Sequence, residues 1–318
     1  MASHLQPWID ALRAGDARAL ARAITVVEDR SPEAFALLKA LFPHSGRARV
    51  IGLTGPPGAG KSTLVDQLAR HYREARQTVG IVAVDPTSPY TGGAILGDRI
   101  RMQSHHADPG IYIRSMATRG SLGGLAHTTA DVATVMDASG RDVILVETVG
   151  VGQDEVDIVR LADITVVLLV PGMGDDVQTI KAGIMEIADI FVINKSDREG
   201  AERVEREIVA LQTLAVRGDG WTPPIVKTVA SEGKGIAELG AAITKYEAYL
   251  ALDNRLLKKT AHNWEIRLVA MLRDAVLERV VKTRFRDGEI AGYAAEVASH
   301  RCDPYTLVEQ IVVGAVKV

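Results

Sequence analysis

Cysteine is nearly missing from this sequence, with Cys302 alone among 318 residues. A single thiol cannot close an intrachain disulfide, so no covalent staple is expected and a reducing, cytoplasmic setting is the simple expectation. Aromatic residues amount to only 4%, which disfavours the base-stacking sheets that bind single-stranded RNA. No excess of one charge stands out either. The 37 Lys+Arg and 40 Asp+Glu leave a net charge of −3, which argues against a protein that coats nucleic acid or an anionic membrane. Long apolar runs are missing too: residues 164–171 form a run of about eight, where a membrane helix needs about 20. The opening residues, Met1-Ala2-Ser3-His4-Leu5-Gln6-Pro7, lack a basic cap followed by an apolar run and are not read as a signal peptide. No internal repeat or low-complexity segment occurs. What remains is a globular balance of 47% hydrophobic and 24% charged residues. A chain of this length can bury about three quarters of its unfolded surface.

The pattern along the chain predicts an α/β fold. Residues 5–41 read as helices, with Trp8, Leu12, Ala19 and Ile24 at roughly helical spacing. Ser31-Pro32-Glu33 marks a second start, with Ser31 as cap. Short apolar runs follow at 49–53, 79–84, 142–146, 164–170, 190–193 and 225–229. Helix-like stretches at 61–76, 125–138, 178–187, 201–216 and 236–252 separate them. Continuous apolar strands alternating with helices predict a mainly parallel sheet covered on both faces. Residues 255–318 read as helical, with Trp264, Leu268, Met271, Leu272 and Val276 on one stripe expected to serve core or dimer packing. The expected divisions are a helical extension (1–46), a nucleotide domain (47–252) and a helical tail (253–318).

The sharpest motif is Gly55-Pro56-Pro57-Gly58-Ala59-Gly60-Lys61-Ser62-Thr63, which fits GxxxxGK[ST] between a predicted strand and a predicted helix. Glycine lets backbone N–H groups curl around phosphate oxygens with no Cβ in the way. The following helix N-terminus aims its dipole at the same anion. Lys61 is expected on the β- and γ-phosphates, Ser62 on Mg²⁺ and Thr63 beside the α-phosphate.

After the run at 190–193 comes Asn194-Lys195-Ser196-Asp197, matching the NKxD pattern of guanine-nucleotide proteins. Guanine presents N1–H and N2–H₂ as neighbouring donors, and one carboxylate, Asp197, can accept both. Adenine presents an acceptor at N1, so the same carboxylate would meet it unpaired. Lys195 would lie along the base and Asn194 would brace the loops. Ser231-Glu232-Gly233-Lys234-Gly235 follows the next strand. It is either a loop offering a backbone N–H to guanine O6 or a plain strand-to-helix turn.

Glu147 ends the strand at 142–146, in Glu147-Thr148-Val149-Gly150. An acid there holds a metal-bound water or the metal itself, and Gly150 can offer its N–H to the γ-phosphate. Where Ras-like proteins place Asp and a water-positioning Gln, this chain has Glu147 and Val151, so intrinsic hydrolysis is expected to be slow. Asp85 stands at the strand end suited to Mg²⁺. Asp98 lies in a long Gly-rich loop where spacing alone also fits a solvated acid. Arg99, Arg101, Arg114 and Arg119 read as loop cations, one of which would face a triphosphate. Residues 255–286 carry nine Lys/Arg against three Asp/Glu and read as solvated helix faces rather than a nucleic-acid arm. The neighbours His105-His106 and Asp108 read as a polar loop rather than a metal site.

In order, the phosphate loop, Asp85-Pro86-Thr87-Ser88-Pro89, Gly97-Asp98-Arg99-Ile100-Arg101-Met102, RSMATRGSLGG (114–124), ETVGVGQ (147–153) and Asn194–Asp197 are similar to the MeaB/ArgK/MMAA family of GTPases. The resemblance runs along nearly the whole chain. It implies a P-loop domain flanked by helical extensions, the C-terminal helices forming a homodimer. It places Ser62, Asp85, Asp98 and Glu147 around Mg²⁺, Lys61 on the phosphates and Asp197 on guanine. It implies switches at about 85–102, 147–157 and 171–181. It further implies binding to an adenosylcobalamin-dependent acyl-CoA mutase of the methylmalonyl-CoA mutase type, with GTP converted to GDP during cofactor loading and protection. Neither a nucleic acid nor a membrane is an expected partner. The alternative is a P-loop small-molecule kinase or a nucleotide-driven metabolic enzyme.

Overall fold

The computed structural model describes residues 5–85, 108–117, 124–148, 161–172, 187–214, 218–286 and 288–316. The predicted helix 178–187 falls almost wholly outside them, as do Asp98, Arg99, Arg101, His105, His106, Arg119, Gly150 and Val151. By Cα packing the chain divides into two units, 1–260 and 261–318.

The first unit is built on a seven-stranded sheet of β1 (Arg49–Thr54), β2 (Val79–Asp85), β3 (Ile111–Ala117), β4 (Val143–Glu147), β5 (Ile164–Leu169), β6 (Ile190–Asn194) and β7 (Ile225–Thr228). The order is β3-β2-β4-β1-β5-β6-β7, and every pairing is parallel. Side chains alternate across a strand, and here both faces are buried. Val143 and Leu145 therefore join one core while Ile144 and Val146 join another. The first core also takes Leu64, Val65, Leu68 and Tyr72 of α4 (Lys61–Glu74) and Leu239, Ile243 and Tyr246 of α7 (Ile236–Ala251). The opposite face is covered by α1 (Gln6–Arg13), α2 (Ala17–Glu28), α3 (Ala34–Leu41) and α5 (Gly124–Ala138). A smaller core packs α6 (Ala201–Leu214) on β5 and β6. The chain crosses β4 to reach β2 and crosses β1 to reach β5, so the order reverses beside β1. Ligands of open α/β sheets bind at the strands' C-terminal ends there.

Three local expectations need correction. The stretch 5–41 holds three α-helices rather than two. Gly15 takes φ +84°, and Asp16 opens α2 by accepting hydrogen bonds from the Arg18 and Ala19 amides at 2.8 Å. Ser31 does not cap α3 with its side chain; its carbonyl accepts from Ala34 N at 2.9 Å, and its hydroxyl has no hydrogen-bond partner among the described residues. Residues 111–117, around the expected loop cation Arg114, form β3. It is an edge strand, so its polar Arg114 and Ser115 broke the apolar pattern that buried strands show. Arg114 accordingly is no loop cation. Its guanidinium grips Glu28 of α2, Nε to Oε1 at 2.9 Å, and that bond raises its pKa.

At the strands' N-terminal ends, Lys259 Nζ donates to Asp189 Oδ2 at 2.7 Å and to the Asp163 carbonyl at 2.7 Å. Asp189 is buried and also accepts from Thr165 N at 2.8 Å. The neighbouring Asp163 carboxyl is pushed above the usual range by burial. In the second unit lie most of α8 (Arg255–Arg284), α9 (Glu289–Ala298) and α10 (Pro304–Val316). Among the described residues, no hydrophobic side chain past Leu250 is fully buried.

Lys259→Met should lower stability by about 3 kcal/mol, because a buried carboxylate loses its cation. Urea unfolding followed by circular dichroism measures this; a shift under about 0.5 kcal/mol would mean the pair contributes no more than a surface bridge.

Candidate nucleotide site

Three segments meet at the C-terminal edge of β1, β6 and β7. The first is the loop between β1 and α4. Gly55 takes φ +144°, and a Cβ there would lie 2.3 Å from the Leu168 carbonyl oxygen of β5. Gly60 takes φ +91°, and its Cβ would lie 2.5 Å from Asn194 Nδ2. Only glycine fits either position. Gly60 is also the residue before α4 and, having no side chain, leaves that helix's first turn uncapped from its own position. Lys61 is 6% exposed and folds back over the loop, its Nζ donating to Gly55 O at 2.7 Å and Pro56 O at 3.2 Å.

The second segment follows β6. Asn194 is buried, and its side chain joins three places. Nδ2 donates to Ala59 O at 2.8 Å, while Oδ1 accepts from Thr228 Oγ1 at 3.0 Å and from Ala230 N at 3.1 Å. Lys195, at φ +56°, reaches the phosphate loop as well, donating from Nζ to Gly58 O at 2.7 Å. Ser196 is tied to Thr228 O by its amide and its hydroxyl, both at 3.1 Å. That leaves Asp197 on an exposed rim.

The third segment is a tight turn after β7. Ser231, Glu232 and Gly233 fall inside a closed bridge in which Val229 N donates to Lys234 O at 3.1 Å. Gly233 and Gly235 take φ +70° and +79°. Gly233 lies beside Gln67 of α4, its would-be Cβ 3.5 Å from Oε1. Lys234 pairs with Glu232 at 2.6 Å, which raises its pKa, with Asp197 adding to the rise.

On the other side of the loop, Ser62 Oγ donates to Glu147 Oε1 at 2.6 Å, both side chains buried. Glu147 pairs in register with Leu53, which puts β4's last residue beside the start of the phosphate loop. A hydroxyl and a carboxylate in contact are the hard oxygen donors Mg²⁺ takes, so these residues fit that ion. Asp85 ends β2, two residues past Ala83, the register partner of Glu147. Among the described residues no cluster of three or more His, Cys, Asp or Glu occurs.

The structure thus brings Gly55 to Thr63, Glu147, Asn194 to Asp197 and Ser231 to Gly233 to one edge. Reading the sequence missed Thr228, whose hydroxyl braces Asn194; the only signal was a hydroxyl at the end of a short strand.

A parallel α/β sheet with GxxxxGK[ST] after its central strand and NKxD after a later one defines a P-loop GTPase. A family model described as "Methylmalonyl Co-A mutase-associated GTPase MeaB" matches residues 20–284, and the chain belongs to this family. A Pyrococcus abyssi protein named as a GTPase is 49% identical over 95% of this chain and 94% of its own. GTPase ArgK of Escherichia coli is 40% identical over 77% of this chain and 76% of its own. The mitochondrial methylmalonic aciduria type A homolog of Mus musculus is 38% identical over 72% and 56%. The crystal structure of an LAO/AO transport system kinase superposes with a TM-score of 0.74 at 28% identity, over 98% of this chain and 97% of that one.

Asn194→Ala removes both the donor to the phosphate loop and the acceptor for β7. It is expected to weaken GTP binding by about tenfold to a hundredfold, measured by fluorescent-nucleotide titration. Unchanged affinity would show that the loops hold their places without it.

Proposed function

We propose that this protein is a GTP-driven switch that assists an adenosylcobalamin-dependent acyl-CoA mutase of the methylmalonyl-CoA mutase type. The observation that carries the reading is the pair of bonds from the NKxD loop to the phosphate loop, Asn194 to Ala59 and Lys195 to Gly58. These bonds tie the NKxD loop to the phosphate loop, which supports a joint base and phosphate site, in a chain whose family is named for that mutase. GTPase names among the relatives favour hydrolysis over the small-molecule kinase alternative.

In this reading, Lys61 exchanges its two loop carbonyls for β- and γ-phosphate oxygens, so the cation is already in place before nucleotide arrives. Asp197 accepts both guanine donors while Lys195 lies along the base. The turn at Ser231, Glu232 and Gly233 closes the guanine side. Mg²⁺ would be held by Ser62 and Glu147, with Asp85 and Asp98 as further donors, and would neutralise charge building on the phosphates. Gly150 would offer its amide to the γ-phosphate. The side chain of Val151 carries no hydrogen-bonding group to orient the attacking water, so turnover stays slow until the mutase organises the site. Two copies would pair through the second unit, where Leu268, Leu272 and Val276 are more than half exposed in the single chain. We place it in the cytoplasm, in keeping with its single cysteine.

Capture from the native host with a non-hydrolysable GTP analogue should bring down a cobalamin-dependent mutase. The purified mutase should then raise GTP turnover by about tenfold or more. A mutase that neither binds nor stimulates would contradict the reading.

A further inference from the structure

Two hydroxyls beside the nucleotide site lie outside the phosphate loop and the NKxD loop. Thr54 is the last residue of β1, directly before Gly55, and is 1% exposed. Thr148 directly follows Glu147 at the end of β4 and is 2% exposed. Thr148 Oγ1 donates to Thr54 Oγ1 at 3.1 Å, and Thr148 N donates to Leu53 O at 3.1 Å, extending the ladder past the Leu53–Glu147 pair. Around them the strands are apolar: Leu53, Val146, Val166 and Val167 are all fully buried. Valine would fill the volume of either threonine with no hydroxyl to desolvate. What the hydroxyls add is direction, because a hydrogen bond fixes geometry where dispersion does not.

The placement gives that direction a use. Consecutive residues of β4's tip hold opposite ends of one loop. Glu147 binds Ser62, just inside α4, and Thr148 binds Thr54, just before Gly55. The loop from Gly55 to Gly60 is bracketed by a single strand end. We propose that Thr148, through Thr54, is a positioning residue for GTP hydrolysis: the hydroxyl pair sets Glu147, at the end of β4, against the phosphate loop and Ser62. This rests on the nucleotide-site reading above. The pair touches no substrate atom in that reading, so its loss should act on turnover rather than on affinity. A displacement of about 1 Å at reacting groups is worth up to a hundredfold in rate.

Steady-state GTP turnover and GTP affinity of the full chain, compared for wild type, Thr148→Val, Thr54→Val, the double variant and Thr148→Ser, test this. Thr148→Val is expected to lower kcat about tenfold with Kd for GTP within about twofold. Thr54→Val should reproduce that loss, the double variant should be no worse than either single one, and Thr148→Ser should recover most of kcat. Should Thr148→Val fail to fold, Thr54→Val and Thr148→Ser carry the same comparison. A Thr54→Val kcat within twofold of wild type would overturn the proposal. So would a parallel fall of kcat and affinity that Thr148→Ser does not restore, since that is the mark of general disruption. Failure of the underlying site reading has a different signature: Lys61→Ala would then keep wild-type turnover, and the positioning role would fall with it.

Discussion

The side chain of Asn194 is the joint on which the site depends. One amide donates into the phosphate loop at Ala59 and accepts from the Thr228 hydroxyl and the Ala230 amide. The loops after β1, β6 and β7 come from distant parts of the chain, and this buried group fixes them together. An amide has both donors and acceptors, so it can satisfy all three partners at once; a carboxylate or an aliphatic side chain cannot. The close approach is what forbids a Cβ at Gly60, so the glycine and the asparagine are two halves of one constraint.

The same logic governs the other flank. Glu147 and Thr148 hold the phosphate loop from β4, and the Cβ-free Gly55 lets that loop press against the Leu168 carbonyl of β5. The loop is held from three neighbouring strands while Lys61 covers it from within. Such a cradle would reorganise little if, as proposed, a polyphosphate replaced the lysine's own carbonyl partners, which is the condition for strong electrostatic binding at low cost.

Most of this frame was legible in the sequence. Strands β1, β2, β4, β5 and β6 are covered on both faces, so their runs are mostly apolar and their positions could be read directly. The edge strand β3 needs no such run, and Arg114 and Ser115 hid it. The phosphate and NKxD motifs were legible because backbone geometry and hydrogen-bond chemistry demand particular residues at fixed local spacing. Contacts between distant segments were not. Thr54 and Thr148 stand 94 positions apart, and nothing in either local pattern announces the other. The Arg114–Glu28 pair, 86 positions apart, was hidden for the same reason. The break at Gly15 and Asp16 was there to be read, but helical spacing either side of it masked the turn.

An NKxD loop locked to the phosphate loop, if it reads guanine as proposed, makes one demand above all others, selectivity for the purine. Calorimetric titration of the wild type and of Asp197→Asn with Mg·GTP and Mg·ATP measures it directly. GTP should bind the wild type about a thousandfold or more tighter than ATP, and Asp197→Asn should erase most of that difference. Equal affinity of the wild type for the two nucleotides would contradict a site built around Asp197 and Asn194.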